Sequence, residues 1–239
     1  MLKNPVIVMT TYKGPEAFTA ACLANLMATW ATVPAGSGVT AAGSGRWKPS
    51  GPNARPLDFV LARGTDPCAQ LYRAVYDLRK MGAPAETSGI LSLEHDHGFE
   101  PQDLHDLLAV AESQPGAIVG GLYFQRQADK VVGEMLEPVT AWENEPTPAY
   151  LCKSVGLGFT FIPWSVFDEI PAPWFDQEWT RPGADSASAD GNWIRSSHDE
   201  FFSREARSLG IPIVGVILRG LTHLHEVQPR GVKFKKEQA

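Results

Sequence analysis

Short apolar runs alternate with segments of helical periodicity through the first half of the chain. Runs rich in β-branched and aliphatic residues predict four strands, at 6–9, 57–62, 90–93 and 117–124. Between them, apolar residues recur at intervals of three or four, and prolines suited to a first helical turn predict helices beginning near Pro15, Pro67 and Pro101. This alternation, with short connections, indicates an α/β fold with a mostly parallel central sheet and helices on both faces.

The second half of the chain has a less regular pattern. "KVVGEMLEPVTAW" predicts a small antiparallel excursion, and "VGLGFTFIP" (155–163) predicts a strand that is interrupted by glycines. A helix is predicted over 199–209, and a last strand over 211–218.

Two stretches rich in Gly, Ala, Ser, Pro or Asp separate these elements. They predict an insertion or loop at 31–56 and a second long loop at 173–198. We therefore expect one domain over 1–226, followed by a basic tail over 227–239.

Composition and charge narrow the classes of function. The 239 residues are 44% hydrophobic and 20% charged, which is typical of a globular domain with a substantial core. The net charge of -6 argues against a generally basic nucleic-acid-binding surface, and the basic tail is most simply a solvated terminus. Three widely spaced cysteines, Cys22, Cys68 and Cys152, predict neither a disulfide framework nor a cysteine zinc site. No segment approaches the roughly 20 apolar residues of a membrane span, so we expect a cytoplasmic protein.

The stretch "GILSLEHDHGF" (89–99) ends an apolar strand in four groups that can ionise or bind a metal ion. Glu94 and Asp96 would repel each other unless a cation lay between them, and their oxygens suit Mg²⁺ or Mn²⁺. A nitrogen ligand from His97, or from His223 or His225 in "RGLTHLHE", would favour Mn²⁺. Ligands of such sheets bind outside the carboxyl ends of the strands, where this cluster is expected. The spacing alone fits a solvated turn of charged residues equally well.

Several motifs, taken in order, resemble the GT-A glycosyltransferases of family 2, in a bacterial and phage branch. "LSLEHDHGFEPQDLHDLL" is similar to the strand–Asp-x-Asp–helix unit of that family, and "AIVGGLYFQR" to the strand that follows it. "VGLGFTFIPWSVFDEI", "SHDEFFSREARSLGIPI" and "GLTHLHE" are similar to its later motifs, and "PVIVMTTYKG" more loosely to its opening strand. The matched blocks cover most of 5–226. The sequence departs from the pattern at Glu94, which replaces an Asp, and at His198, where the family often has Glu.

The resemblance implies a GT-A, Rossmann-like fold and a metal-dependent transfer of a sugar from a nucleotide-sugar donor to a hydroxyl acceptor. It implies that Glu94, Asp96 and His223 hold Mn²⁺ or Mg²⁺, with Asp199 as the general base of an inverting transfer. It further implies donor binding by two groups of residues: Thr10, Thr11, Tyr12 and Arg73 near the start of the chain, and Gly156 and Gly158 later.

Simpler structural roles remain open for several of these residues. Asp199 also fits an acid stabilised at a helix start, Arg73 a surface residue of a helix, and the two glycines a bulge. The tryptophans of the loop at 173–198 would stack against sugars on a closing lid, or else pack the loop into a small core; they are Trp174, Trp179 and Trp193.

Three other functions also remain open. A nucleotidyltransferase shares the sheet and the carboxylate-bound Mg²⁺, but usually has a glycine-rich basic loop where this chain has only Lys13 and Gly14. A non-catalytic module would keep the nucleotide-sugar pocket alone. A metallohydrolase would use His95, Asp96 and His97, which cannot all face one metal on a regular strand. The acceptor classes are a saccharide, a lipid, a protein or a modified nucleic-acid base. The acidic charge balance weakly disfavours the last, while the basic tail keeps it open.

Overall fold

A computed structural model describes residues 5–11, 19–21, 45–46, 58–63, 66–124, 131–139, 148–177, 179–180, 194–195 and 197–223. Most of the helix predicted from Pro15, most of the insertion at 31–56 and the tail at 227–239 lie outside these residues. No helix in the described ranges combines the length and the hydrophobicity needed to cross a bilayer.

Thirteen strands and five complete helices are described. The strands are β1 (Val6–Thr11), β2 (Gly45–Arg46), β3 (Asp58–Arg63), β4 (Gly89–Glu94), β5 (His97–Gly98), β6 (Ile118–Phe124), β7 (Val131–Pro138), β8 (Ala149–Val155), β9 (Phe159–Pro163), β10 (Trp179–Thr180), β11 (Ile194–Arg195), β12 (Ile213–Ile217) and β13 (Thr222–His223). The helices are α1 (Pro67–Lys80), α2 (Ala83–Glu86), α3 (Pro101–Ser113), α4 (Trp164–Glu169) and α5 (His198–Ser208).

Nine of these strands form one sheet, in the order β12-β8-β7-β6-β9-β4-β1-β3-β2. Strand β1 lies between β3 and β4 and is parallel to both, and β12 is parallel to β6. Strand β9 runs antiparallel between β4 and β6, so β1, β3, β4, β6 and β12 share one direction. The predicted α/β fold class is confirmed, and the antiparallel excursion is the β7–β8 hairpin.

The segment 155–163 differs from the single strand that we predicted. A turn at 157–158 divides it, so that β8 ends at Val155 and β9 begins at Phe159. Strand β8 extends back to Ala149, and its exposed Lys153 obscures the apolar pattern in the sequence. The segment between α1 and β4 contains the short helix α2.

Hydrophobic side chains pack on both faces of the sheet. Along β1, Ile7 and Met9 face a core covered by α3, whereas Val6 and Val8 face a second core covered by α1, α4 and α5. A strand buried on both faces is continuously apolar, which is why β1 and β4 show no polar alternation.

The predicted helix starts at Pro67 and Pro101 are confirmed. Asp66 caps α1, where its side chain accepts a hydrogen bond from the Cys68 amide at 2.9 Å. Glu100 and Asp103 form a capping box at the start of α3. Because each helix is fixed at its first turn, the preceding strand ends are fixed as well.

Candidate functional site

The carboxyl end of β4 brings together the acidic cluster that the sequence singles out. The strand ends at Glu94, the chain turns at His95 and Asp96, and β5 begins at His97. One ligand atom each from Glu94, Asp96 and His97 lies within 4.8 Å of the others. The Glu94 side chain retains 28% exposure, whereas Asp96 and His97 are buried. Two carboxylate oxygens and one imidazole nitrogen form a donor set that fits Mn²⁺.

The turn explains how adjacent residues can share one site. On a regular strand, Asp96 and His97 would point to opposite faces of the sheet. Because the strand stops at Glu94, His97 Nδ1 instead lies 3.2 Å from Asp96 Oδ1. Neighbouring residues of a regular strand cannot face one metal ion, but the turn allows Asp96 and His97 to do so. His95 is not among the three clustered ligands.

Gly158, in the turn between β8 and β9, packs against the cluster. Its carbonyl oxygen accepts a hydrogen bond from the Glu94 amide at 2.9 Å. A Cβ atom at this position would lie 2.6 Å from His97 Nε2 and 2.9 Å from the Tyr123 hydroxyl oxygen, both too close. A glycine is required here because the turn at 157–158 packs directly against the His97 ring.

Replacing Gly158 by Ala should lower the free energy of unfolding by about 1–3 kcal/mol, because the new methyl group forces His97 and Tyr123 to move. The same change should weaken Mn²⁺ binding, measured by titration of the purified protein, while urea unfolding gives the stability. Gly116→Ala is the matched control, since Gly116 has open space around it and a φ of 81° that strains any other residue. The control should lose stability and keep its Mn²⁺ affinity; an equal loss of affinity in both variants would contradict the role of Gly158.

Tyr123 lies beneath the cluster at the end of β6. Its ring contacts the His97 ring edge to face, with the two centroids 4.4 Å apart. Burial, and then the negative charges of Glu94 and Asp199, raise the pKa of Tyr123 well above its usual value. The phenol is therefore a neutral hydrogen-bonding group at physiological pH.

Helix α5 presents two further ionisable side chains to the cluster. Ser197 and Glu200 form a capping box that fixes its first turn, which carries His198 and Asp199. Asp199 Oδ1 accepts a hydrogen bond from the Leu157 amide at 3.2 Å and lies 3.2 Å from His198 Nε2. Burial raises the pKa of Asp199, and His198 and the Leu157 amide oppose that shift. Asp199 therefore stands beside the cluster as a carboxylate that takes up a proton more readily than an exposed Asp does.

The end of β1 lies beside the same cluster. Thr10 pairs with Glu94 in the register of β1 and β4, and both Thr10 and Thr11 are buried. The Thr11 amide donates a hydrogen bond to Gln70 Oε1 at 3.0 Å, which ties β1 to α1. Tyr12, the next predicted donor residue, lies outside the described residues.

The other predicted site residues are placed as follows. Gly156 precedes the turn that contains Gly158, and its carbonyl oxygen accepts a hydrogen bond from Thr160 Oγ1 at 2.6 Å. His223 is opposite His97 in the β13–β5 ladder, and only its backbone is described. Arg73 is exposed on α1, where it lines a groove of about 430 Å³ together with Tyr72 and Asp176.

Trp174 is buried rather than exposed for sugar stacking. Its indole N–H donates a hydrogen bond to the Ile170 carbonyl at 3.0 Å, and its ring packs against Tyr72 and Phe167. Packing is therefore its role, while the side chains of Trp179 and Trp193 lie outside the described structure.

Comparison with known proteins gives the fold a precedent. No protein-family model matches the sequence, and no curated protein sequence matches it. A197 from STIV has a similar structure, with 13% identity, a TM-score of 0.54, and coverage of 97% of this chain and 99% of that one. GalNAc-T7, a GT-A glycosyltransferase solved with UDP, GalNAc and Mn²⁺, is also similar, with 9% identity and a TM-score of 0.52. That match covers 94% of this chain and 44% of GalNAc-T7.

The fold is GT-A-like. At these identities the likeness shows the fold alone, because one fold hosts many chemistries. Within this GT-A-like fold, sequence reasoning singled out Glu94, Asp96 and Asp199 but did not foresee the contacts made by Tyr123 and His198. The one sign in the sequence that Tyr123 contacts the site is its polar hydroxyl group at the end of the apolar run "AIVGGLY".

Proposed function

We propose that the chain is a metal-dependent glycosyltransferase that moves a sugar from a nucleotide-sugar donor to a hydroxyl acceptor. The observation that carries the proposal is the convergence of Glu94, Asp96 and His97 at the carboxyl end of β4, beside Asp199. The GT-A-like fold, and the UDP and Mn²⁺ in the GalNAc-T7 structure, support this function, and turnover separates it from a module that only binds the donor.

Glu94, Asp96 and His97 would hold the divalent cation, and His223 is a further candidate ligand because its backbone pairs with His97. When bound, the cation neutralises the charge that develops on the diphosphate leaving group. The imidazole nitrogen of His97 favours Mn²⁺ over Mg²⁺, since Mg²⁺ prefers oxygen ligands alone.

The end of β1 and the glycine turn would bind the rest of the donor. Thr10 stands opposite Glu94 and Thr11 ends β1, so these two residues would lie beside the bound donor, and a contact with Tyr12 stays a prediction. Gly158 places its backbone against Glu94 and the His97 ring, and a contact of Gly156 or Gly158 with the donor stays a prediction. A donor contact for Arg73 stays a prediction, on the groove side of α1.

Asp199 would accept the proton of the acceptor hydroxyl as the new glycosidic bond forms. Its raised pKa, caused by burial, makes it a stronger base than an exposed Asp. The Leu157 amide and His198 Nε2 both contact Oδ1 and so hold the carboxylate in place. Inversion at the anomeric carbon would require Asp199 to lie on the side of the sugar opposite the diphosphate.

A thermal-shift screen of UDP, GDP, CDP and dTDP sugars, each with and without Mn²⁺, tests the proposal. One nucleotide should raise the melting temperature only when Mn²⁺ is present, and that rise should vanish in Asp96→Ala. Asp106→Ala is the matched control, because Asp106 is an acid on α3 whose side chain accepts a hydrogen bond from Gln102 away from the cluster. Stabilisation by nucleoside triphosphates instead would point to a nucleotidyltransferase, and no shift with any donor would refute the proposal.

A further inference from the structure

His198 occupies an unusual position for a histidine. It is the first residue of α5, and its side chain is only 11% exposed. The amino end of a helix carries positive partial charge, which favours acidic side chains there rather than histidine. Ser197 and Glu200 already provide the helix cap, and His198 is not needed for it. Its burial therefore needs another partner.

Two carboxylates from different elements flank a single nitrogen of His198. Nε2 lies 3.2 Å from Asp199 Oδ1 and 3.8 Å from Glu94 Oε1. An imidazole N–H has one hydrogen to donate, and 3.8 Å exceeds hydrogen-bonding distance. Neither contact is an aligned hydrogen bond among the described residues, but both acids lie within contact distance of the same nitrogen.

Glu94 and His198 are in contact although they lie far apart in the chain, one at the end of β4 and the other at the start of α5. The Glu94 side chain reaches toward α5, where His198 offers it a ring nitrogen. The contact therefore joins the strand that carries the acidic cluster to the helix that carries Asp199.

We propose that His198 is a positioning residue, whose Nε2 joins Glu94 of the cation site to Asp199. The roles of Glu94 and Asp199 rest on the proposed function, whereas the link between them rests on the distances alone. Through this link the orientation of Glu94 toward the cation and the orientation of Asp199 toward the acceptor depend on one imidazole ring. Partners of metal ligands commonly orient those ligands and tune their binding.

The first test uses the metal-free protein and the ring-nitrogen NMR signals of ¹⁵N-labelled histidine. His198→Gln assigns the His198 signals by removing them. The His198 Nε2 signal should move in Glu94→Asp, whose carboxylate is one methylene shorter, and also in Asp199→Asn. Glu205→Gln is the control, because Glu205 lies on α5 but pairs with Arg204. A His198 signal that is unchanged by Glu94→Asp would overturn the link.

The second test measures Mn²⁺ affinity in a double-mutant cycle. His198→Leu should weaken Mn²⁺ binding by about tenfold, the loss typical of removing a partner of a metal ligand. In the Glu94→Asp background the same change should have little effect, because the shorter side chain no longer reaches His198. His198→Gln, which keeps a polar N–H group beside Glu94, should retain more of the affinity than His198→Leu, and circular dichroism checks that each variant folds.

The outcomes separate the two proposals. An equal loss from His198→Leu in both backgrounds would overturn the link while leaving the cation site intact. A wild-type protein that binds no Mn²⁺ would refute the proposed metal dependence, and the metal-free NMR experiment would still decide whether His198 joins Glu94 to Asp199.

Discussion

Replacing Asp199 by Asn should lower kcat by about 10²- to 10⁴-fold, because the amide keeps the shape of the carboxylate but cannot accept the acceptor's proton. The dissociation constant of the donor should be nearly unchanged, since the carboxylates of the cation site remain. Release of the nucleoside diphosphate measures turnover, and titration with the donor measures binding. Glu200→Gln is the matched control, because Glu200 is the neighbouring acid in the same helical turn and serves the capping box.

The pH dependence gives the same experiment a second readout. Burial raises the pKa of Asp199, so kcat/KM of the wild type should fall as the pH drops through that raised value, above the range of an exposed Asp. The pKa of Asp199 is higher in the folded protein than in the unfolded chain, so the folded state binds the proton more tightly. The free energy of unfolding therefore falls as the pH rises from the pKa of the unfolded chain to that of the folded protein. Asp199→Asn removes this destabilising charge and should melt no lower than wild type at neutral pH. Full turnover in the Asn variant would exclude Asp199 as the base, and a wild type that binds donor without turnover would identify a binding module.

Replacing Phe202 by Ala should lower the free energy of unfolding by about 3–5 kcal/mol, as expected for a large aromatic side chain deleted from a core. Phe202 is completely buried on α5. Its ring centroid lies 5.0 Å from that of Phe175 and 6.3 Å from that of Phe167. The deletion leaves a cavity between α4, α5 and the segment that follows α4. Urea unfolding measures the loss.

Phe201→Ala is the matched control for this change. Phe201 is only partly buried, and its described aromatic contact is with the Arg204 guanidinium at 5.3 Å. Its loss should cost about 1 kcal/mol, near the centre of the range for point mutations. Equal losses at both positions would contradict the view that α5 is anchored through Phe202. Since α5 also carries His198 and Asp199, weak anchoring would loosen the site as well.

The fold was predictable where the sequence pattern is local. The apolar run of β4 and the periodicity of α1 and α3 depend on neighbouring residues, and all three elements form as predicted. Strand β8 was missed because exposed polar residues such as Lys153 interrupt its apolar positions. The break between β8 and β9 depends on the packing of Gly158 against His97, which no local pattern records.

The candidate site was predictable in its acids but not in its connections. Glu94 and Asp96 stand out because they follow an apolar strand directly. The grouping of His97 with them could not be chosen, because the sequence does not mark the residue at which β4 stops and turns. The contact between Glu94 and His198 joins segments far apart in the chain, so it exists only after the sheet and α5 have packed together.

The last described strand bears on when the site can form during synthesis. Strand β13 pairs with β5, and Gly220 just before it donates a backbone hydrogen bond to Asp103 at the start of α3. A growing chain that stops before residue 222 contains Glu94, Asp96 and His97 but lacks the strand that holds β5 in place. The proposed cation site thus depends on a strand that is made long after its own residues, and a chain cut before β13 should bind metal more weakly than one that contains it.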